Sequence, residues 1–112
     1  LTAARRAAYR AGCMKIQSGT AKAGHNDPDW ELHKGHGPRT HRFVVKFPEP
    51  FSVPPTVTAS LAGFEAQSKE LENFRLEVRV VKAEHDKFKL EYKTSGYMKV
   101  MNITVTWLAH GA

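Results

Sequence analysis

Six histidines are the most conspicuous chemistry-bearing residues of this sequence, and four of them, His25, His33, His36 and His41, fall in or beside one polar stretch. Histidine is a common metal ligand, but a closed zinc site needs four donors, usually cysteine and histidine at short fixed spacings. Here the intervals of two and four residues match no such motif, and no cysteine or well-placed carboxylate completes a set. They are read as histidines of a solvated loop, with no metal assigned; one histidine from each of three protomers around an axis is the arrangement left open. Two acidic groups, Asp27/Asp29/Glu31 and Glu65/Glu70/Glu72, also lie in polar segments. Glycosidic hydrolysis needs a carboxyl whose pKa is raised by apolar burial, and neither group has that context. No nucleophile elbow, phosphate-binding glycine loop or zinc-protease helix motif occurs. The reading is a binding domain: no catalytic residue, no cofactor, no enzyme.

The formal net charge of +6 and pI near 9.7 attract anions at long range. Basic residues are interleaved with apolar ones, giving the stripes Arg75/Arg79 and Lys87/Lys89/Lys93. Single-strand nucleic-acid binders place aromatic platforms beside such cations. Here Phe74, Phe88 and Tyr92 alternate onto the opposite face, so nucleic acid is not expected as a partner. No apolar run approaches the roughly 20 residues of a membrane span, so membrane insertion is not expected either. Cys13 is the single cysteine, which rules out an internal disulfide and leaves a free, half-buried thiol as the expectation. A start at Leu1 rather than Met suggests a processed or excised piece of a longer protein.

The elements that must carry these residues follow from period and punctuation. Residues 1–14 are rich in helix formers, with Leu1, Ala4, Ala8 and Ala11 at seam spacing. They are expected to form a short N-terminal helix that either packs on the domain or, the favoured reading, is the end of a trimeric coiled-coil stalk. Residues 15–112 form the main domain. Residues 22–40 show no sustained period and read as a long loop pinned by Trp30. Beyond it the chain alternates with period two, as half-buried strands do. His41, Phe43, Val45 and Phe47 share a face; so do Val57, Ala59 and Leu61. Phe74, Leu76, Val78 and Val80 face in, as do Phe88, Leu90 and Tyr92, then Met101, Ile103, Val105 and Trp107. The proline-rich segment 48–55 is a crossover, since proline removes ladder donors. The expected class is an all-β antiparallel sandwich.

Four blocks in order, FPEPFSVPPTVTASL (47–61), NFRLEVRV (73–80), FKLEYKT (88–94) and ITVTWLA (103–109), resemble the H-type lectin family of snail agglutinins and the discoidin C-terminal domain. IQSG at 16–19 is similar to its opening strand, so the resemblance covers residues 16–110. It implies a six-stranded antiparallel β-sandwich that forms a homotrimer, with sugar sites between neighbouring protomers and galactose or N-acetylgalactosamine as usual ligands. An extracellular, cell-surface or virion-surface location is implied with it. The family's sugar-contacting arginine matches Arg75, whose guanidinium offers a rigid fork to hydroxyl groups. Its aromatic–histidine pair before the last strand falls on Ser95 and Gly96, with Tyr97 following. Its sugar-holding aspartate falls near His36 or Gly37. With the aromatic platform and the carboxylate both replaced, the sugar stays open, acidic glycans included. A receptor-recognition head of a longer protein is the leading expectation; a structural trimeric knob of a fibre or adhesin, without a working sugar site, is the alternative.

Overall fold

The computed structural model describes residues 14–68 and 75–112, together with the backbone of residues 3–8. Seven strands follow one another: β1 Ala3–Ala8, β2 Lys15–Gly24, β3 Arg39–Lys46, β4 Thr56–Gln67, β5 Leu76–Ala83, β6 Lys87–Thr94 and β7 Lys99–Gly111. They form two sheets, ordered β1-β2-β7-β4 and β3-β6-β5, and every neighbouring pair is antiparallel. Strands β2 to β7 are the six of the expected sandwich. Among the described residues no helix is long and apolar enough to cross a membrane.

The helix expected over residues 1–14 is corrected where the structure describes that stretch. Ala3–Ala8 pair with β2 residue for residue, from Ala3 opposite Thr20 to Ala8 opposite Lys15. A helix this short is marginal in water, whereas β2 has an edge not covered by β7 and offers ladder bonds to any chain beside it. Tertiary pairing therefore overrides propensity, and no coiled-coil seam runs through Ala4 and Ala8. Cys13 and the rest of that segment lie outside the described residues, as do Phe74, Glu70 and Glu72.

The core lies between the sheets. From the smaller sheet come Val45, Phe88, Leu90 and Tyr92; from the larger come Ala21, Ile103, Val105 and Trp107, all buried. Phe47, Phe88 and Trp107 pack in a cluster with ring centroids 5.2–5.8 Å apart. Edge contacts of this kind add to the area they bury. The proline-rich segment does cross from one sheet to the other. It is fastened by Gln17, a fully buried amide that donates to the Glu49 carbonyl at 2.8 Å and accepts from the Glu49 N–H at 3.0 Å.

One expected inward residue, Met101, is displaced by a register shift. The register keeps Val57, Ala59 and Leu61 on one face, opposite Ala109, Trp107 and Val105, although Leu61 is 41% exposed next to a first shift, between Leu61 and Gly63. A second shift, between Glu65 and Ala66, puts Val100 in the core instead of the half-buried Met101. An extra residue in one strand flips the faces beyond it, and nothing in a local period announces where that happens.

Candidate functional site

Loop 25–38 is fastened because His25, Trp30 and Leu32 bond into the sandwich, the first through its N–H to the Met101 carbonyl at 2.8 Å. Trp30 is buried and its Nε1–H donates to the Val100 carbonyl at 2.8 Å, while the Val100 N–H donates to the buried Leu32 at 2.9 Å. The Trp30 ring also lies 4.8 Å from His41 and 6.2 Å from Tyr92, centroid to centroid. The anchoring expected of this indole is what the structure shows.

The short loop 95–98, between β6 and β7, meets this long loop through Arg39. This guanidinium donates to five carbonyls: Leu32 (3.3 Å), Lys34 (2.6 Å) and Gly37 (3.0 Å) in one loop, Gly96 (3.2 Å) and Met98 (2.7 Å) in the other. The Gly37 N–H adds a direct bond to the Gly96 carbonyl at 2.9 Å. Both glycines have positive φ, 78° and 67°, a region that side chains disfavour, so the turns that bring the two loops together depend on them. Burial lowers the Arg39 pKa from its ordinary value, and the carbonyl dipoles around it offset the cost of removing the charge from water.

The clamp brings together residues that are far apart in sequence. His36 and Tyr97 stack with centroids 5.6 Å apart and planes inclined by 25°, and Tyr97 is 51% exposed. Beside them Pro38, Ser95, Thr94 and Arg75 line a pocket of about 190 Å³, closed by Glu77 and Lys93. The Arg75 carbonyl accepts from the buried Thr94 Oγ1 at 2.9 Å, which fixes its backbone at the pocket edge. Its side chain is exposed, and its guanidinium bonds to no described residue. Of the six residues expected at the site, Arg75 and Ser95 line the pocket, while His36, Gly37, Gly96 and Tyr97 lie in the two loops that flank it and are not part of its lining. Sequence reasoning missed Arg39, Glu77 and Lys93. Glu77 and Lys93 alternate outward on recognised strands, a signal shared with every solvated strand residue; Arg39 gave no signal, because its five acceptors are backbone atoms.

Among the described residues no group of three potential ligands converges on a metal position, although the His25 and His33 rings lie 6.3 Å apart. His25 Nδ1 lies 3.2 Å from the Met101 carbonyl, beside a more open concavity of about 400 Å³ lined by Asn26, Asp27 and Asn102. Asp27 is already engaged there, accepting from the Gly24 N–H at 2.8 Å. His33 has its Nδ1 buried without a partner. Burial first, then the charges of Lys34, His25 and Lys99, hold its pKa below the ordinary 6.5.

Comparison with known proteins places this geometry. The model of the H-type lectin domain matches residues 42–110. A protein of Fuscovulum blasticum described as ATP synthase subunits region ORF 7 is 32% identical over 82 residues, covering 73% of this chain and 70% of the relative. Discoidin II from Dictyostelium discoideum superposes with a TM-score of 0.77 at 25% identity, over 89% of this chain. This chain spans only 37% of that discoidin's length. An N-truncated R1-type pyocin tail fiber shares the fold, with a TM-score of 0.58 at 14% identity over 96% of this chain and 86% of the fibre chain. With two antiparallel sheets in this order and a family match over most of the sandwich, the chain belongs to the H-type lectin domain family, as a lectin-like carbohydrate-binding domain.

Proposed function

We propose that the domain binds a glycan in the pocket between Arg75, Ser95 and the His36–Tyr97 pair, and that it acts as a homotrimer outside the cell. The observation that carries this reading is an exposed guanidinium without a described partner, set at the rim of a cleft whose two loops are locked together by Arg39. A guanidinium gives charge-assisted hydrogen bonds to hydroxyls or carboxylates, and rigid loops reduce the ordering cost of binding. Tyr97 and His36 offer an exposed stacked surface where the family's aromatic–histidine pair is absent from 95–96. Glu77 offers the carboxylate absent near His36 and Gly37. Two cations, Arg75 and Lys93, against this one carboxylate favour an acidic glycan over a neutral galactose-type sugar. Hydrolysis is not supported: it needs two carboxyl groups flanking the bond, and the pocket holds one, exposed to solvent. Trimer assembly and a receptor-recognition role rest on the family resemblance. A glycan array carrying neutral galactose-type and acidic sugars tests the site, with light scattering on the same sample. Selective hits from a particle with the mass of three chains are expected; an empty array would make the domain a structural knob, and a monomer mass would remove the trimer.

A further inference from the structure

The outer face of the three-stranded sheet carries Arg42, Lys46, Arg79, Lys82, Lys87, Lys89 and Lys93, and its register brings like charges into direct opposition. Lys46 stands across from Lys87, and Lys82 across from Lys89. The second pair depends on a register shift after Val80, which returns Lys82 to the outer face. Like charges placed directly opposite on neighbouring strands are destabilising, and none of these four lysines has an ion-pair partner among the described residues. One row further along β6, Arg42 and Arg79 flank Glu91 from the two neighbouring strands. Glu91 is 3% exposed and accepts from the Nε of each, at 2.6 Å and 2.9 Å. Both arginines are more than half exposed, and only their Nε atoms are engaged. Two forks are thus held roughly 10 Å apart, two strand spacings, with their terminal amino groups presented to solvent. The buried carboxylate orients them; it is not open to a ligand.

We propose that this face is a second binding surface, for a linear acidic polysaccharide carrying sulfate or carboxylate groups. Charge complementarity identifies the occupant: an anionic chain laid across the strands screens the two lysine pairs and bridges the two arginine forks. Outward positions of these strands are aliphatic or polar and carry no aromatic ring, so bases have nothing to stack on, and a polysaccharide is favoured over single-stranded nucleic acid. This surface does not depend on the loop pocket. Lys87 lies at the opposite end of β6 from Ser95, roughly 25 Å away along the strand.

The test is binding of size-fractionated heparin to the full chain, with neutral dextran, polyuridylic acid and phosphatidylserine vesicles alongside. The variant is Lys87→Glu with Lys89→Glu, which turns both lysine pairs into opposite-charge pairs; the control is Lys15→Glu with Lys22→Glu on the other sheet. The double change on β6 is expected to weaken heparin binding about tenfold or more. It should leave the melting temperature equal or higher, and any array ligand of the loop pocket still bound. The single change Lys89→Glu serves if the double variant fails to fold. Equal losses in both double variants would reduce the effect to net charge and overturn the proposal. So would tighter binding of polyuridylic acid or vesicles than of heparin. A change of particle mass in the β6 variant would assign the face to contacts between copies and equally overturn it.

Discussion

Glu91 shows how one residue can be legible as a strand position and still hide its role. It alternates outward like Lys89 and Lys93, yet it is buried, because the two arginine side chains cover it. The hydrogen bond from Arg42 does most to hold its carboxyl below the ordinary carboxylate range, with Arg79 adding to this and burial opposing it. A depressed folded-state pKa contributes stability that is complete above the unfolded value near 4.5 and is lost as pH falls through the folded value. His33 is a depressed histidine: the unfolded chain takes up its proton first, so stability falls as pH drops below about 6.5. Thermal melts from pH 8 to pH 3 are expected to fall in two stages. His33→Leu should remove the first stage. Glu91→Gln should lower stability at neutral pH and flatten the second. A Glu91→Gln curve with the parent's steep acid limb would show that another carboxylate governs it.

At the scale of elements, the site is two loops made into one body, and Arg39 is the joint. Arg39→Ala leaves five carbonyl contacts without a donor and is expected to cost about 2–4 kcal/mol of stability while loosening both loops. Arg39→Lys keeps the charge but loses the fork, so it should recover little of that stability. Hydrogen exchange at Gly37, whose N–H bonds to Gly96, checks the loosening: protection unchanged in Arg39→Ala would mean the loops hold without the clamp. Strands β3, β5, β6 and β7 were legible because a half-buried strand writes its period directly into side-chain types. The stretch at 3–8 was not: its composition favours a helix, and the competing β2 edge is a tertiary partner. Met101 was misplaced for a related reason, since a bulge is a relation between two strands. Arg75 and the 95–97 loop were legible through family motifs. Arg39 was hidden among ordinary basic residues, because backbone acceptors have no residue type.

The whole molecule divides its surfaces by chemistry. Among the described residues the larger sheet turns mainly hydroxyl side chains outward, such as Thr58, Ser60 and Thr106, while the smaller sheet turns out lysine and arginine. The loop pocket opens at the end of the smaller sheet, where β6 runs out at Thr94 and the chain turns through Ser95. Arg75 is exposed there and fills no space in the core, so its truncation leaves no cavity and the fold should be unaffected. Loss of a charge-assisted bond to a sugar group costs roughly 1.5–3 kcal/mol, about tenfold or more in affinity. The most direct measurement is therefore a calorimetric titration of the array-selected glycan into the parent and Arg75→Ala at equal ionic strength. An affinity loss of about tenfold or more with an unchanged melting temperature is the predicted result. Equal affinity in the two proteins would place the glycan site elsewhere on the domain.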